Sequence, residues 1–160
     1  MNSALRRREF LQAAIAAGTA VASGGMQPRL LQAKEPRSPN EKLNLAVIGV
    51  DGRGAANLAG VSHENIAVLC DIDDQRLEAA ARKHPGAKRV TDYREVFEAS
   101  NIDGIVCSTP DHMHAVVVSA ALKRGLPVYC EKPLTHSVYE ARLLRQLNAQ
   151  ARVPTQMGNQ

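Results

Sequence analysis

Apolar residues fall in short runs separated by helical stretches along most of this 160-residue chain. Leu43, Leu45, Val47 and Ile48 form a run too uniformly apolar for a half-exposed strand and predict a strand covered on both faces, as in a parallel sheet. A helix is predicted over 54–61, a second strand over 66–70, and a helix from an Asp73 cap to about His84 with Leu77, Ala80 and Ala81 on one face. A weak strand at 88–90, a short helix at 92–99 and a strand at 102–108 follow. Then come a helix at 112–124, a strand at 127–130, a helix at 135–151 with Val138, Ala141, Leu144 and Leu147 in helical register, and a strand at 153–157. Strict alternation with short connections predicts an α/β fold: a doubly wound, Rossmann-like parallel sheet with right-handed crossovers.

The chain before this pattern reads differently. Residues 1–23 place Arg6-Arg7-Arg8-Glu9-Phe10-Leu11 before a mild Ala/Gly-rich run, with Ala20-Val21-Ala22 as a cleavage site. The run is too short for a stable membrane span, and its flanks are those of a signal peptide. Arg7-Arg8-x-Phe10-Leu11 resembles the twin-arginine export motif, which implies the twin-arginine export machinery as a partner and a periplasmic or otherwise exported product. Residues 24–40 mix Gly, Pro and polar residues without period and read as a linker, leaving 41–160 as the folded domain.

Charge follows the same division. Arg6, Arg7, Arg8, Arg29, Lys34 and Arg37 against Glu9 and Glu35 account for the whole net charge of +4. The rest of the chain is balanced, so no basic stripe points to nucleic acid. Cys70, Cys107 and Cys130 end apolar runs and form no C-x-x-C pair, which reads as buried, reduced thiols without a metal site or disulfide framework.

In a sheet of this kind ligands bind beyond the carboxyl ends of the strands, so the polar residues there carry the chemistry. The first strand runs into Gly49, Gly52 and Gly54, where a helix start offers N–H groups and a positive dipole end to a pyrophosphate. Asp71 ends the second strand 22 residues after Gly49, near the spacing at which an acid accepts the adenosine ribose hydroxyls. Aligned on G-x-G-x-x-G, the middle glycine is replaced by Asp51, which costs room and adds negative charge beside a phosphate. The other strand ends supply Ser108-Thr109-Pro110-Asp111, Glu131-Lys132-Pro133 and Met157-Gly158-Asn159-Gln160, all expected to face one crevice.

These motifs, with His114-Ala115 and Leu134, resemble the N-terminal half of the Gfo/Idh/MocA oxidoreductases over about 42–160. The resemblance implies NAD as cofactor, with NADP open, and a sugar, polyol or related alcohol as substrate. Gly49, Gly52 and Gly54 would hold the pyrophosphate, with Arg53 able to reach a phosphate, and Asp71 would hold the adenosine ribose. Thr109, Pro110 and His114 would shape the nicotinamide side. Glu131 would contact the nicotinamide ribose, and Lys132 would orient the substrate hydroxyl and assist proton transfer as a partly desolvated amine. Asp73 and Asp74 beside Asp71 favour NAD over NADP. His112 reads as an exposed helix start, and His63, His84 and His136 receive no role. The family's second α/β domain, with its oligomer contacts, would follow Gln160. The expectation is therefore a dehydrogenase represented by its cofactor domain. The alternatives are an exported glycoside hydrolase of the same family that uses bound NAD, or a non-catalytic nucleotide-binding module.

Overall fold

The chain folds around β1 (Asn44–Ile48), whose five residues alternate between two apolar layers. Ala46 and Ile48 join one layer, and Leu45 and Val47 the other. The computed structural model describes residues 41–159, so the export signal and linker read in 1–40 lie outside the described residues. After β1 come α1 (Arg53–Gly60), β2 (Asn65–Cys70), α2 (Asp74–Lys83), β3 (Lys88–Val90) and α3 (Tyr93–Val96). They are followed by β4 (Gly104–Cys107), α4 (Asp111–Leu122), β5 (Val128–Cys130), α5 (Val138–Ala151) and β6 (Thr155–Met157). The six strands are all parallel, in the order β3-β2-β1-β4-β5-β6. Strand order reverses between β1 and β4, which places the ligand crevice at their carboxyl ends.

One layer packs Leu58 of α1 and Leu77, Ala80 and Ala81 of α2 against Leu45, Val47, Leu69 and Val106. The opposite layer packs Val96, Ala115, Val118, Leu122 and Leu144 against Ala46, Ile48, Val68, Ile105 and Cys130. Both faces of the sheet are thus covered, which is why its strands read as continuous apolar runs. Among the described residues no helix is long and apolar enough to cross a membrane.

Local chemistry moves several boundaries. Helix α5 starts at Val138 rather than residue 135, because Ser137 accepts the Glu140 amide while the Glu140 carboxylate accepts the Ser137 amide in a capping box. Its expected apolar stripe is only half used: Leu144 is buried, but Val138 is 68% exposed. Helix α3 is a single turn, closed by the Phe97 amide bonding back to Arg94. Strand β6 starts after Pro154, which has no amide proton for the sheet.

Candidate functional site

The turn between β1 and α1 is shaped by two glycines that cannot be replaced without moving backbone. Gly49 has φ +82°, and a Cβ there would lie 2.6 Å from the Ser108 carbonyl oxygen. A Cβ on Gly54 would lie 2.1 Å from the Gly49 carbonyl oxygen, so only glycine lets α1 sit this close to β1. Gly52, at φ +55°, is the N-cap of α1 and has open space above it, and no side chain caps the helix start. That uncapped N-terminus over a clear approach suits a pyrophosphate. Gly52 thus supplies the open approach expected of the middle glycine, although Asp51 occupies the aligned position.

Asp71, at the end of β2, binds the two sides of this corner. Its Oδ2 accepts the Val50 amide at 3.0 Å, and its Oδ1 accepts the Asp73 amide at 3.0 Å. The carboxylate is therefore fixed in orientation, with lone pairs left for a ribose hydroxyl. A cleft of about 680 Å³ opens here, lined by Gly49, Asp51, Asp71, Arg76, Thr109 and Pro110 among others. It is roomy enough for a small-molecule cofactor by the usual pocket scale of about 300–1,000 Å³. The residues present therefore fit a dinucleotide.

The carboxyl end of β5 adjoins this cleft and meets α1 through a buried network. Glu131, 4% exposed at the end of β5, points its Oε1 into a cluster of donors. Arg53 Nε donates to it at 3.0 Å, Asn57 Nδ2 at 2.9 Å and the Tyr129 hydroxyl at 3.0 Å. Burial works to raise this carboxyl, but the hydrogen bonds from Asn57, Arg53 and Tyr129 outweigh it and hold it at about 2. Burial and the neighbouring carboxylate push the Tyr129 hydroxyl up. Arg53 thus gives its Nε to Glu131, while its side chain stays 46% exposed with further guanidinium N–H groups left for a phosphate.

His114 takes its place in the site from behind. It is 1% exposed and acts as a strut between two loops rather than as a cleft wall. Its Nδ1 lies 2.6 Å from the Pro133 carbonyl oxygen and its Nε2 2.7 Å from that of Thr109. It therefore positions the loop carrying Lys132 against the loop carrying Thr109 and Pro110. Lys132 itself stands exposed, and its ammonium has no hydrogen-bond partner among the described residues. Its amide faces Glu131 Oε2 at 3.4 Å, and the Lys132–Pro133 peptide is cis.

Ser108 and Gly158, both in the strand-end motifs, join this site, together with Asn57 and Tyr129, which the sequence pattern does not single out. Asn57 Nδ2 also donates to Ser108 Oγ at 2.8 Å, and a Cβ on Gly158 would lie 2.5 Å from the Tyr129 hydroxyl. A signal did exist. Arg53 and Asn57 are one helical turn apart, and Tyr129 and Glu131 share one face of a strand, so each pair had to point the same way. At the mouth, His136 Nδ1 lies 3.2 Å from Asp111 Oδ2, which helps to hold that carboxyl below its ordinary value.

All three cysteines are free and buried, as read from the sequence. What the sequence did not show is that Cys107 and Cys130 lie side by side in register on β4 and β5, with His114 joining them. The sulfurs and one ring nitrogen fall within 4.8 Å of one another. The hydrogen bond from Cys130 lowers the Cys107 thiol to about 6 and raises its partner's, while burial lifts Cys70 to about 12. Both ring nitrogens of His114 already face carbonyl oxygens, so the trio serves the strut rather than offering a free ligand set.

Comparison with known proteins agrees with this geometry. The chain is 35% identical over 100 residues to inositol 2-dehydrogenase 4 of Saccharopolyspora erythraea, covering 60% of this chain and 30% of that protein. It is 33% identical over 99 residues to inositol 2-dehydrogenase of Arthrobacter sp., covering 59% of this chain and 29% of the relative. The structure of an NAD binding oxidoreductase from Klebsiella pneumoniae superposes with a TM-score of 0.65 at 28% identity, over 73% of this chain and 34% of that one. The chain spans about a third of the length of these relatives. Residues 43–159 match the family described as an oxidoreductase family with an NAD-binding Rossmann fold. The chain therefore belongs to the Gfo/Idh/MocA oxidoreductase family and carries its NAD-binding domain.

Proposed function

We propose that this domain serves an exported NAD-dependent oxidoreductase that acts on a sugar, polyol or related alcohol. The observation that carries the reading is the anchoring of the Glu131-Lys132-Pro133 loop beside the glycine-rich turn. His114 holds it from one side, and Arg53 and Asn57, both on α1, hold it through Glu131 from the other. A flexible amine on a fixed backbone is suited to meeting a substrate hydroxyl and, in its neutral form, to taking the hydroxyl proton as the hydride leaves. When bound, NAD supplies the hydride acceptor. The chain's own part is to bind it at the Gly49–Gly54 turn, hold the adenosine ribose on Asp71, and present Lys132 near the far end of the crevice. Asp71, Asp73 and Asp74 form an acidic ribose corner that favours NAD over a 2′-phosphorylated cofactor. The substrate class rests on two relatives named inositol 2-dehydrogenase. Export rests on Arg6-Arg7-Arg8-Glu9-Phe10-Leu11 and the apolar run after it.

The test is to purify the native gene product from its compartment and incubate it with NAD and a panel of polyols that includes myo-inositol. NADH should accumulate, and Lys132→Ala should lower kcat by about a hundredfold or more, the scale of a lost proton-transfer group. Cleavage of a glycoside without net NADH would replace this reading with that of an NAD-using hydrolase. Binding of NADH without turnover of any substrate would leave a nucleotide-binding module.

A further inference from the structure

The least family-like residue of the turn, Asp51, has a partner that the sequence pattern does not suggest. Arg76, in the first turn of α2, places Nε 3.3 Å from Asp51 Oδ2 and 3.3 Å from Asp73 Oδ2. Both Asp51 and Arg76 line the cofactor cleft together with Asp71. The Asp51 main chain is equally engaged, since its carbonyl oxygen accepts the Gly54 amide at 2.8 Å. The residue therefore keeps its backbone in the turn while its carboxylate is drawn toward α2.

We propose that Arg76 is a positioning residue for cofactor binding: it turns the Asp51 carboxylate toward α2 and offsets its charge, so that the turn accepts a pyrophosphate despite lacking the middle glycine. The inference rests on the NAD-binding reading of this turn and adds a residue to it. The electrostatics are simple. An unpaired carboxylate in this turn would face the diphosphate across only a few ångströms of partly screened space, where like charges still repel measurably. A guanidinium shared between two carboxylates weakens that repulsion while leaving the helix N-terminus open to the anion.

The test is a fluorescence titration of the full chain with NADH, comparing wild type, R76Q, D51N and the double variant. R76Q should weaken NADH binding by about three- to tenfold at low ionic strength, the scale of one partly screened charge, and added NaCl should shrink that penalty. D51N should bind NADH at least as well as wild type, and R76Q should cost nothing in the D51N background. Equal losses from R76Q in both backgrounds would overturn the proposal by making Arg76 a direct contact of the cofactor. Unchanged binding by R76Q would overturn it as well. Thermal melts of all four proteins separate these outcomes from misfolding. Wild-type protein that fails to bind NADH would bring down the cofactor reading itself, an outcome distinct from either of those.

Discussion

Replacing Glu131 by Gln tests whether the buried network is an ionised one. The side chain is 4% exposed, and its Oε1 is shared by Arg53, Asn57 and Tyr129. Its carboxyl is lowered from 4.5 to about 2. A folded-state value below the unfolded one means that ionised Glu131 stabilises the domain above about pH 4.5 and that this contribution drains away as pH falls toward 2. The shift corresponds to about 3 kcal/mol at most, and the half-exposed Arg53 partner argues for the lower part of a range of about 1–3 kcal/mol. Glu131→Gln keeps the shape and gives up the charge. Urea denaturation of both proteins at steps from pH 7 to pH 2.5 gives the decisive curve, namely the difference between them. The variant should be less stable by about 1–3 kcal/mol at pH 7, and the gap should close as the pH falls below about 4.5. Asp92 and Asp111 are also held below their ordinary values, but they contribute to both proteins and cancel in the difference. A gap that stays constant across the acid range would refute the ionised network and reduce Glu131 to a packing residue.

Substitutions at three further positions probe the scaffold under the site. Gly54→Ala forces a methyl to within 2.1 Å of a backbone oxygen and should cost about 3 kcal/mol. Gly60→Ala, on the same helix with nothing within 4 Å, should gain up to about 1 kcal/mol. Equal effects in thermal melts would contradict the close α1–β1 approach. His114→Ala removes the buried ring that bridges the Thr109 and Pro133 carbonyls and should destabilise the domain by about 2–4 kcal/mol in the same assay. His114→Asn, which keeps a donor, should lose less, and indistinguishable variants would refute the strut.

The layers of the fold were legible because burial on both faces writes itself into the sequence. Val47, Leu69 and Val106 lie in register across β1, β2 and β4, and each sits in a run that only a covered strand tolerates. The glycine turn was equally readable, since Gly49 and Gly54 answer to contacts within one local corner. What stayed hidden depends on side chains meeting across long stretches of chain. Glu131 reaches back to Arg53 and Asn57 across the sheet, and Arg76 reaches Asp51 from another helix. His114 looked like a cleft residue because it follows Thr109-Pro110 by less than a helical turn and a half. Only the tertiary path of the Pro133 loop turns it inward. Helix α5 was over-extended because Thr135 and Ser137 both resemble caps, and the choice between them is made by Glu140.

Asp71 joins two properties that evolution would otherwise be free to vary separately. The carboxylate proposed to hold the adenosine ribose also ties Val50 of the turn to Asp73 at the entry to α2. A lineage drifting toward a 2′-phosphorylated cofactor by replacing Asp71 would lose two structural hydrogen bonds in the same step, in a domain whose whole margin is only a few kcal/mol. Ile72, 91% exposed beside it, carries no such obligation. Changes of cofactor preference in descendants of this sequence are therefore expected to begin at Ile72, with Asp71 and the helix-capping Asp73 the last of the corner to change.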